Sequence, residues 1–106
     1  AIISKMAEHG QIAGGIVDGP LALDVAIDKE SVQIKKLVSP VAGDADCMVF
    51  PNIESGNVFF KTATKLAHGE LAAVVMGARC PAILTSRGDS SKTKTYSIAL
   101  ACLIAK

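Results

Sequence analysis

Three cations crowd the start of one helical pattern. In Ser86-Arg87-Gly88-Asp89-Ser90-Ser91-Lys92-Thr93-Lys94 the helix is expected to begin near Lys92, with Arg87 just ahead of it. A helix amino end is already positive, because its first N–H groups lack intrahelical partners and the peptide dipoles sum there. Lys92 and Lys94 in the first turn therefore put like charge on a positive site, at about 0.3–1 kcal/mol each. A bound anion reverses the sign. The free N–H groups and the Ser86 hydroxyl can donate hydrogen bonds to it, and Arg87 can grip a phosphate or carboxylate through two N–H groups at once. The competing reading sends both lysines into water and pairs Arg87 with Asp89.

A second junction of the same kind lies upstream. Cys47 to Phe50 is a short apolar run that reads as a strand buried on both faces, and Pro51 stops it. Asn52 then suits an N-cap, with Val58, Phe59, Thr62, Ala63 and Leu66 at helical spacing behind it and Gly69 at the end. Gly56 sits in the first turns, where it costs roughly 1 kcal/mol relative to Ala. Either a ligand approaches the backbone at Asn52, Ser55, Gly56 and Asn57, or Gly56 serves close helix–strand packing. The ligand reading requires the two turns, 52–57 and 86–92, to converge at one edge of a sheet.

The remaining elements must hold those junctions. Ile2, Ile3 and Met6 mark an opening amphipathic helix with Gly10 as its C-cap. Gln11 to Asp18 carries a strand. Gly19-Pro20 turns the chain, Pro20 taking the first helical position, and Leu23, Ala26 and Ile27 form the buried side of a short helix. Asp24 in that first turn suits either a ligand or the helix dipole. The charged section from Lys29 to Val38 reads as a helix end or an irregular surface connection, and Ser39 to Asp46 as a turn-rich loop. Glu70 to Gly77 and Pro81 to Thr85 read as strands close enough for a hairpin, which makes the sheet mixed. Lys92 to Ala105 is the last helix, with Tyr96, Ala99, Leu100 and Leu103 as its apolar stripe and Ser90 or Ser91 as its cap.

Composition bounds the possibilities. The 106 residues are one domain's worth, able to bury roughly two thirds of the unfolded surface. Half are hydrophobic but only 4% aromatic, so the core must come from Ala, Val, Ile and Leu, which favours layered α/β packing. A net charge of +1 and the lack of a basic, aromatic-interleaved stripe argue against a nucleic-acid partner. Cys47, Cys80 and Cys102 lie far apart in apolar runs and read as buried cytosolic thiols, and with His9 and His68 also far apart no metal site is expected. The longest apolar run falls well short of the roughly 20 residues of a membrane span, so a soluble, intracellular protein without a membrane partner is expected. The chain opens inside a helical pattern without Met, as if within a longer protein.

Four stretches together resemble one family. Asp18-Gly-Pro-Leu-Ala-Leu-Asp24, Ser39-Pro-Val-Ala-Gly-Asp-Ala-Asp46, Phe50-Pro-Asn-Ile-Glu-Ser-Gly-Asn57 with Lys61, and Leu84-Thr-Ser-Arg-Gly-Asp-Ser90 followed by Ser97-Ile-Ala-Leu-Ala101 look like the C-terminal third of the phosphate acetyl/butyryltransferases. The variants at Leu84–Arg87 and Ser97–Ala101 are more similar to the butyryl branch. The resemblance implies an isocitrate/isopropylmalate-dehydrogenase-like α/β/α sandwich with a mixed, mostly parallel sheet, here a single domain over residues 1–106. It further implies cytoplasmic two-domain subunits that form homodimers. Their activity is transfer of a short acyl group between coenzyme A and inorganic phosphate, both substrates, with no permanently bound cofactor.

In that family the residues matching Ser86 and Arg87 lie in the interdomain cleft. Arg87 would hold phosphate or steady the carbonyl oxygen, and Ser86 would donate a hydrogen bond to it. The family base, an Asp seven residues after the Ser in acetyl-type members, is here Thr93, which leaves Asp89 as the nearest carboxylate. Asn52, Ser55, Gly56, Asn57 and Lys92 would bind the coenzyme. Further cleft arginines belong to the portion preceding this chain, so these residues carry part of an active site. The alternative is a non-catalytic acyl-CoA-sensing domain, similar to the tail of some malic enzymes, which the Thr at position 93 would suit; a third reading is a purely dimerising domain.

Overall fold

The computed structural model describes residues 1–105. They divide into two compact units, Ala1–Val49 and a second from Phe50 onward.

In the first unit, α1 (Ile2–Glu8) forms where the opening pattern places it, but its contact is polar. Ser4 is its buried residue and donates a hydrogen bond to the Gly19 carbonyl at 2.9 Å. Ile2 and Ile3, expected on the buried side, are exposed. α2 (Leu23–Ile27) starts three residues after Pro20, which therefore lies outside the helix. Val25 is buried, while Leu23 and Ile27 are exposed. The section from Lys29 is a true helix, α3 (Lys29–Lys35), and not an irregular connection. Asp28 ends α2 and caps α3: its carboxylate accepts the N–H groups of Glu30 and Ser31 at 3.3 and 2.9 Å and the Ser31 hydroxyl at 2.6 Å. Lys36, in the left-handed region at φ 50°, closes α3.

The Ser39–Asp46 loop is fastened back onto α2. Gly43 and Ala45 donate to the carbonyls of Val25 and Ala26 at 2.8 and 3.1 Å. Gly43 has φ +74°, and a Cβ there would fall 2.8 Å from Lys29 Cγ and 3.0 Å from Lys29 Cα. Only glycine meets both demands.

In the second unit, α4 (Ile53–Lys61) is capped by Asn52, whose side-chain oxygen accepts the Ser55 N–H at 2.9 Å. It runs on into a π-helical turn, Thr62–Leu66, and the chain closes it by a Gly69 N–H donated to the Ala63 carbonyl at 2.8 Å. Phe50 packs across the first turns, its ring 5.1 Å from that of Phe59 and its side chain nearest the bare face of Gly56. Val58 and Leu66, expected on the buried side, are exposed. α5 (Ser91–Ile104) is capped by Ser90, whose hydroxyl oxygen accepts the Thr93 N–H at 3.1 Å. Its buried side is made by Ser97 and Ala101; of the expected stripe, Tyr96 and Leu103 are exposed.

The expected strands 11–18, 47–50, 70–77 and 81–85 form no ladder among the described residues. One antiparallel bridge joins Val75 to Ala82, with the Val75 N–H on the Ala82 carbonyl at 2.8 Å, where the hairpin was expected. A strand needs a neighbour's N–H and C=O groups, and the other segments find none here.

Exposure is correspondingly high. The surface of 8402 Å² compares with about 5,600 Å² for a compact protein of this mass, so just under half of the roughly 15,800 Å² unfolded surface is buried and not two thirds. Cys47, Cys80 and Cys102, expected buried, are exposed free thiols, because the apolar runs that hold them are not covered. Among the described residues no helix is long and apolar enough to cross a membrane.

Candidate functional site

The loop before α5 is held by its own side chains. The Asp89 carboxylate accepts the Ser86 N–H at 2.7 Å, and the Ser86 hydroxyl oxygen accepts the Gly88 N–H at 3.3 Å. With the Ser90 cap, these bonds fix residues 86–90 as a tight turn ahead of the helix. Asp89 is thus spent on backbone and does not pair with Arg87. The Arg87 side chain belongs to an exposed residue and forms no ion pair among the described residues. An unneutralised guanidinium beside a helix amino end is what the anion reading requires.

The two lysines behind it differ. Lys94 forms no ion pair among the described residues. Lys92, expected to face the coenzyme, is instead paired with the Glu70 carboxylate, with its ammonium 5.5 Å from the centre of the Tyr96 ring. The Glu70 carboxylate, as hydrogen-bond acceptor, raises the Lys92 pKa, and Lys92 in turn lowers that of Glu70. Thr93 stands where the family base is expected and is used structurally: its N–H meets Ser90, its Oγ1 accepts from the Ser90 hydroxyl at 3.1 Å, and its carbonyl accepts from Ser97.

Asn52, Ser55, Gly56 and Asn57 stand together at the α4 amino end, where Asn52 also accepts the Ser55 hydroxyl on its carbonyl at 3.1 Å. Among the described residues no hydrogen bond or ion pair joins them to residues 86–92. The link that exists comes from the other end of the helical run: Lys65 Nζ donates to the Gly88 carbonyl at 3.4 Å. Lys65 is thirteen residues beyond Asn52, a rise of roughly 20 Å. The bond that reaches the 86–90 turn from this helical run thus comes from its carboxyl end. A shallow open depression lies along one face of α4 and the turn that follows it, lined by Asn57, Val58, Lys61, Thr62, Lys65 and Leu66. Asn57, Lys61 and Lys65 recur four residues apart on this face, a pattern present in the sequence but not weighed there.

A family model described as phosphate acetyl/butaryl transferase matches residues 2–102. The chain belongs to that family. It is 51% identical over 105 residues to a phosphate acetyltransferase of Rhizobium meliloti, covering 99% of this chain and 33% of the relative. It is 49% identical to a phosphate butyryltransferase of Clostridium acetobutylicum, covering 99% of this chain and 35% of the relative. The chain thus spans about a third of the length of the curated relatives it matches. Relatives named for either acyl group match almost equally, so identity does not sort the chain between them. In structure it is similar to a branched-chain phosphotransacylase from Enterococcus faecalis V583, with a TM-score of 0.81 and 35% identity over 95% of this chain and 39% of that one. The family fold is therefore present, although no sheet ladder forms among the described residues.

Proposed function

We propose that this chain supplies the phosphate-binding turn and part of the coenzyme groove of an acyltransferase that moves a short acyl group between coenzyme A and inorganic phosphate. The observation that carries the reading is Arg87, exposed and unneutralised at the amino end of α5 in a member of this family. In the reaction, a phosphate oxygen attacks the thioester carbonyl carbon, the new C–O bond forms, and the C–S bond breaks to release the thiolate, which takes up a proton. Arg87 holds the phosphate or offsets the charge that develops on the carbonyl oxygen, with Ser86 as a second donor. Asp89 is the nearest carboxylate for the thiol proton in reverse, since Thr93 has no acidic group, and it takes that role only by loosening its hold on the Ser86 N–H. The long coenzyme lies along α4, from Asn52, Ser55, Gly56 and Asn57 through Lys61 toward Lys65, whose ammonium reaches the Gly88 carbonyl. Lys92 joins it only by leaving Glu70.

The reading extends to a cytoplasmic homodimer whose mixed, mostly parallel sheet is completed by polypeptide beyond this third. The large exposed surface and the segment 47–50, which forms no ladder among the described residues, support the covering polypeptide.

The test grafts this chain in place of its counterpart in the Clostridium acetobutylicum relative and follows thiol release from butyryl-CoA and acetyl-CoA with phosphate. Arg87→Ala is expected to lower turnover about 10²- to 10³-fold, the loss typical of one oxyanion donor. Undiminished turnover in that variant overturns the reading. The isolated chain is expected to turn over poorly or not at all, and robust turnover by it refutes the partial-site picture.

A further inference from the structure

Ser97 is the one side chain among the described residues that is both large enough to bond and wholly buried, at 0% exposure. Its hydroxyl uses both capacities. It donates to the Thr93 carbonyl at 2.8 Å and accepts the Ala73 N–H at 3.0 Å. Thr93 in turn donates its N–H to the Ser90 cap, and the neighbouring Asp89 holds the Ser86 N–H. Hydrogen bonds joined by short stretches of backbone therefore lead from Ala73, through α5, to the turn that carries Arg87.

Resting on the anion-site reading above, we propose that Ser97 is a positioning residue. It fixes the rotation of α5 about its axis, and with it the placing of Arg87 and the first α5 amides toward phosphate. Apolar keying on this face is slight: Thr93, Ser97, Leu100 and Ala101 lie on the side of α5 turned inward, and Leu100, the one large apolar residue among them, is only half-buried. The second tie to the same segment, Lys92 with Glu70, joins side chains that are 57% and 60% exposed, so it is screened and yields easily. Glu70 meets Lys92 and Ala73 meets Ser97, so residues 70–73 run beside α5 in its own direction, and only the Ser97 tie is dry. A hydroxyl whose loss leaves a half-buried N–H without a partner resists small rotations in a way that apolar contact does not.

The test titrates the Clostridium acetobutylicum relative carrying this chain as its graft, ¹⁵N-labelled, with inorganic phosphate at constant ionic strength and follows the amides of residues 86–92. The unsubstituted chain is expected to show saturable shifts at Arg87, Ser91 and Lys92. Ser97→Ala is expected to weaken phosphate at least fivefold while signals of residues 50–66 stay in place, and Ser97→Thr, which keeps the hydroxyl, to restore it. Ala73→Pro deletes the partner N–H without touching α5 and should give the same loss. Parent-like affinity in a folded Ser97→Ala or Ala73→Pro chain overturns the positioning role while leaving the anion site standing. If the unsubstituted chain shows no shift, or Arg87→Ala binds as the parent does, the anion-site reading fails and this role falls with it.

Discussion

Gly43→Ala separates two costs that usually come together. At φ +74° an L-residue pays about 1–2 kcal/mol for the left-handed region. The added Cβ also meets backbone, 3.0 Å from Lys29 Cα and 3.1 Å from Lys29 N, so no side-chain rotation relieves it. The loop must lift, loosening the bonds of Gly43 to Val25 and Ala45 to Ala26, worth about 1 kcal/mol each. The sum is about 3–4 kcal/mol. Gly14→Ala provides the internal control: its φ is +92°, yet nothing lies within 4 Å of the new Cβ, so it pays only the conformational part. Gly15→Ala, with neither a positive φ nor a neighbour, should be neutral or slightly stabilising. Urea unfolding of the three variants, followed by helical circular dichroism, reads the ranking directly. Gly43→Ala should exceed Gly14→Ala by about 2 kcal/mol, near 10 °C in Tm for a chain of this size. A difference below about 0.5 kcal/mol would refute the view that the loop is clamped against α3.

Gly56→Ala should act in the opposite sense, gaining about 0.5–1 kcal/mol, because the new Cβ meets Phe50 at an ordinary 3.6 Å and the helix gains a better former. A loss of stability in the same urea titration would show that Phe50 cannot accommodate it. Asp28→Asn tests the α3 cap through pH. The Ser31 hydroxyl, then the Ser31 and Glu30 N–H groups, hold the Asp28 carboxyl below its ordinary value. Its contribution is therefore present above about pH 4 and lost as pH falls through the folded value. Asn still caps but does not titrate, so the acid limb of helicity against pH should be shallower in Asp28→Asn; an unchanged limb would remove the cap from the account.

What was legible in the sequence was local chemistry. Asn52 and Ser90 cap because each places a side-chain oxygen three residues before an N–H that would otherwise be unpaired, and that relation is written in consecutive residues. Asp28 obeys the same rule but was hidden by the charges behind it, which read as a solvated face. The hairpin at Val75 and Ala82 was legible because its turn is short. Burial was not legible. Ile2, Ile3, Val58 and Leu103 have the spacing of a buried face, yet burial depends on a neighbour that the helix itself does not encode. The site divides in the same way. Arg87 was readable from the charge it adds to a helix amino end, whereas the capture of Lys92 by Glu70, 22 residues distant, and the reach of Lys65 to Gly88 are products of tertiary placement.

The π-helical turn at Thr62–Leu66 makes this stretch unevenly tolerant of a change in length. A wide turn holds one more residue than the regular helix would. Removing a single residue there would let the turn close as ordinary α-helix and leave Lys65 facing nearly as it does now, whereas adding one would swing it by about 100° around the axis and away from the Gly88 carbonyl. In this stretch deletions should be tolerated more readily than insertions, because the slack for one residue is already wound into the turn.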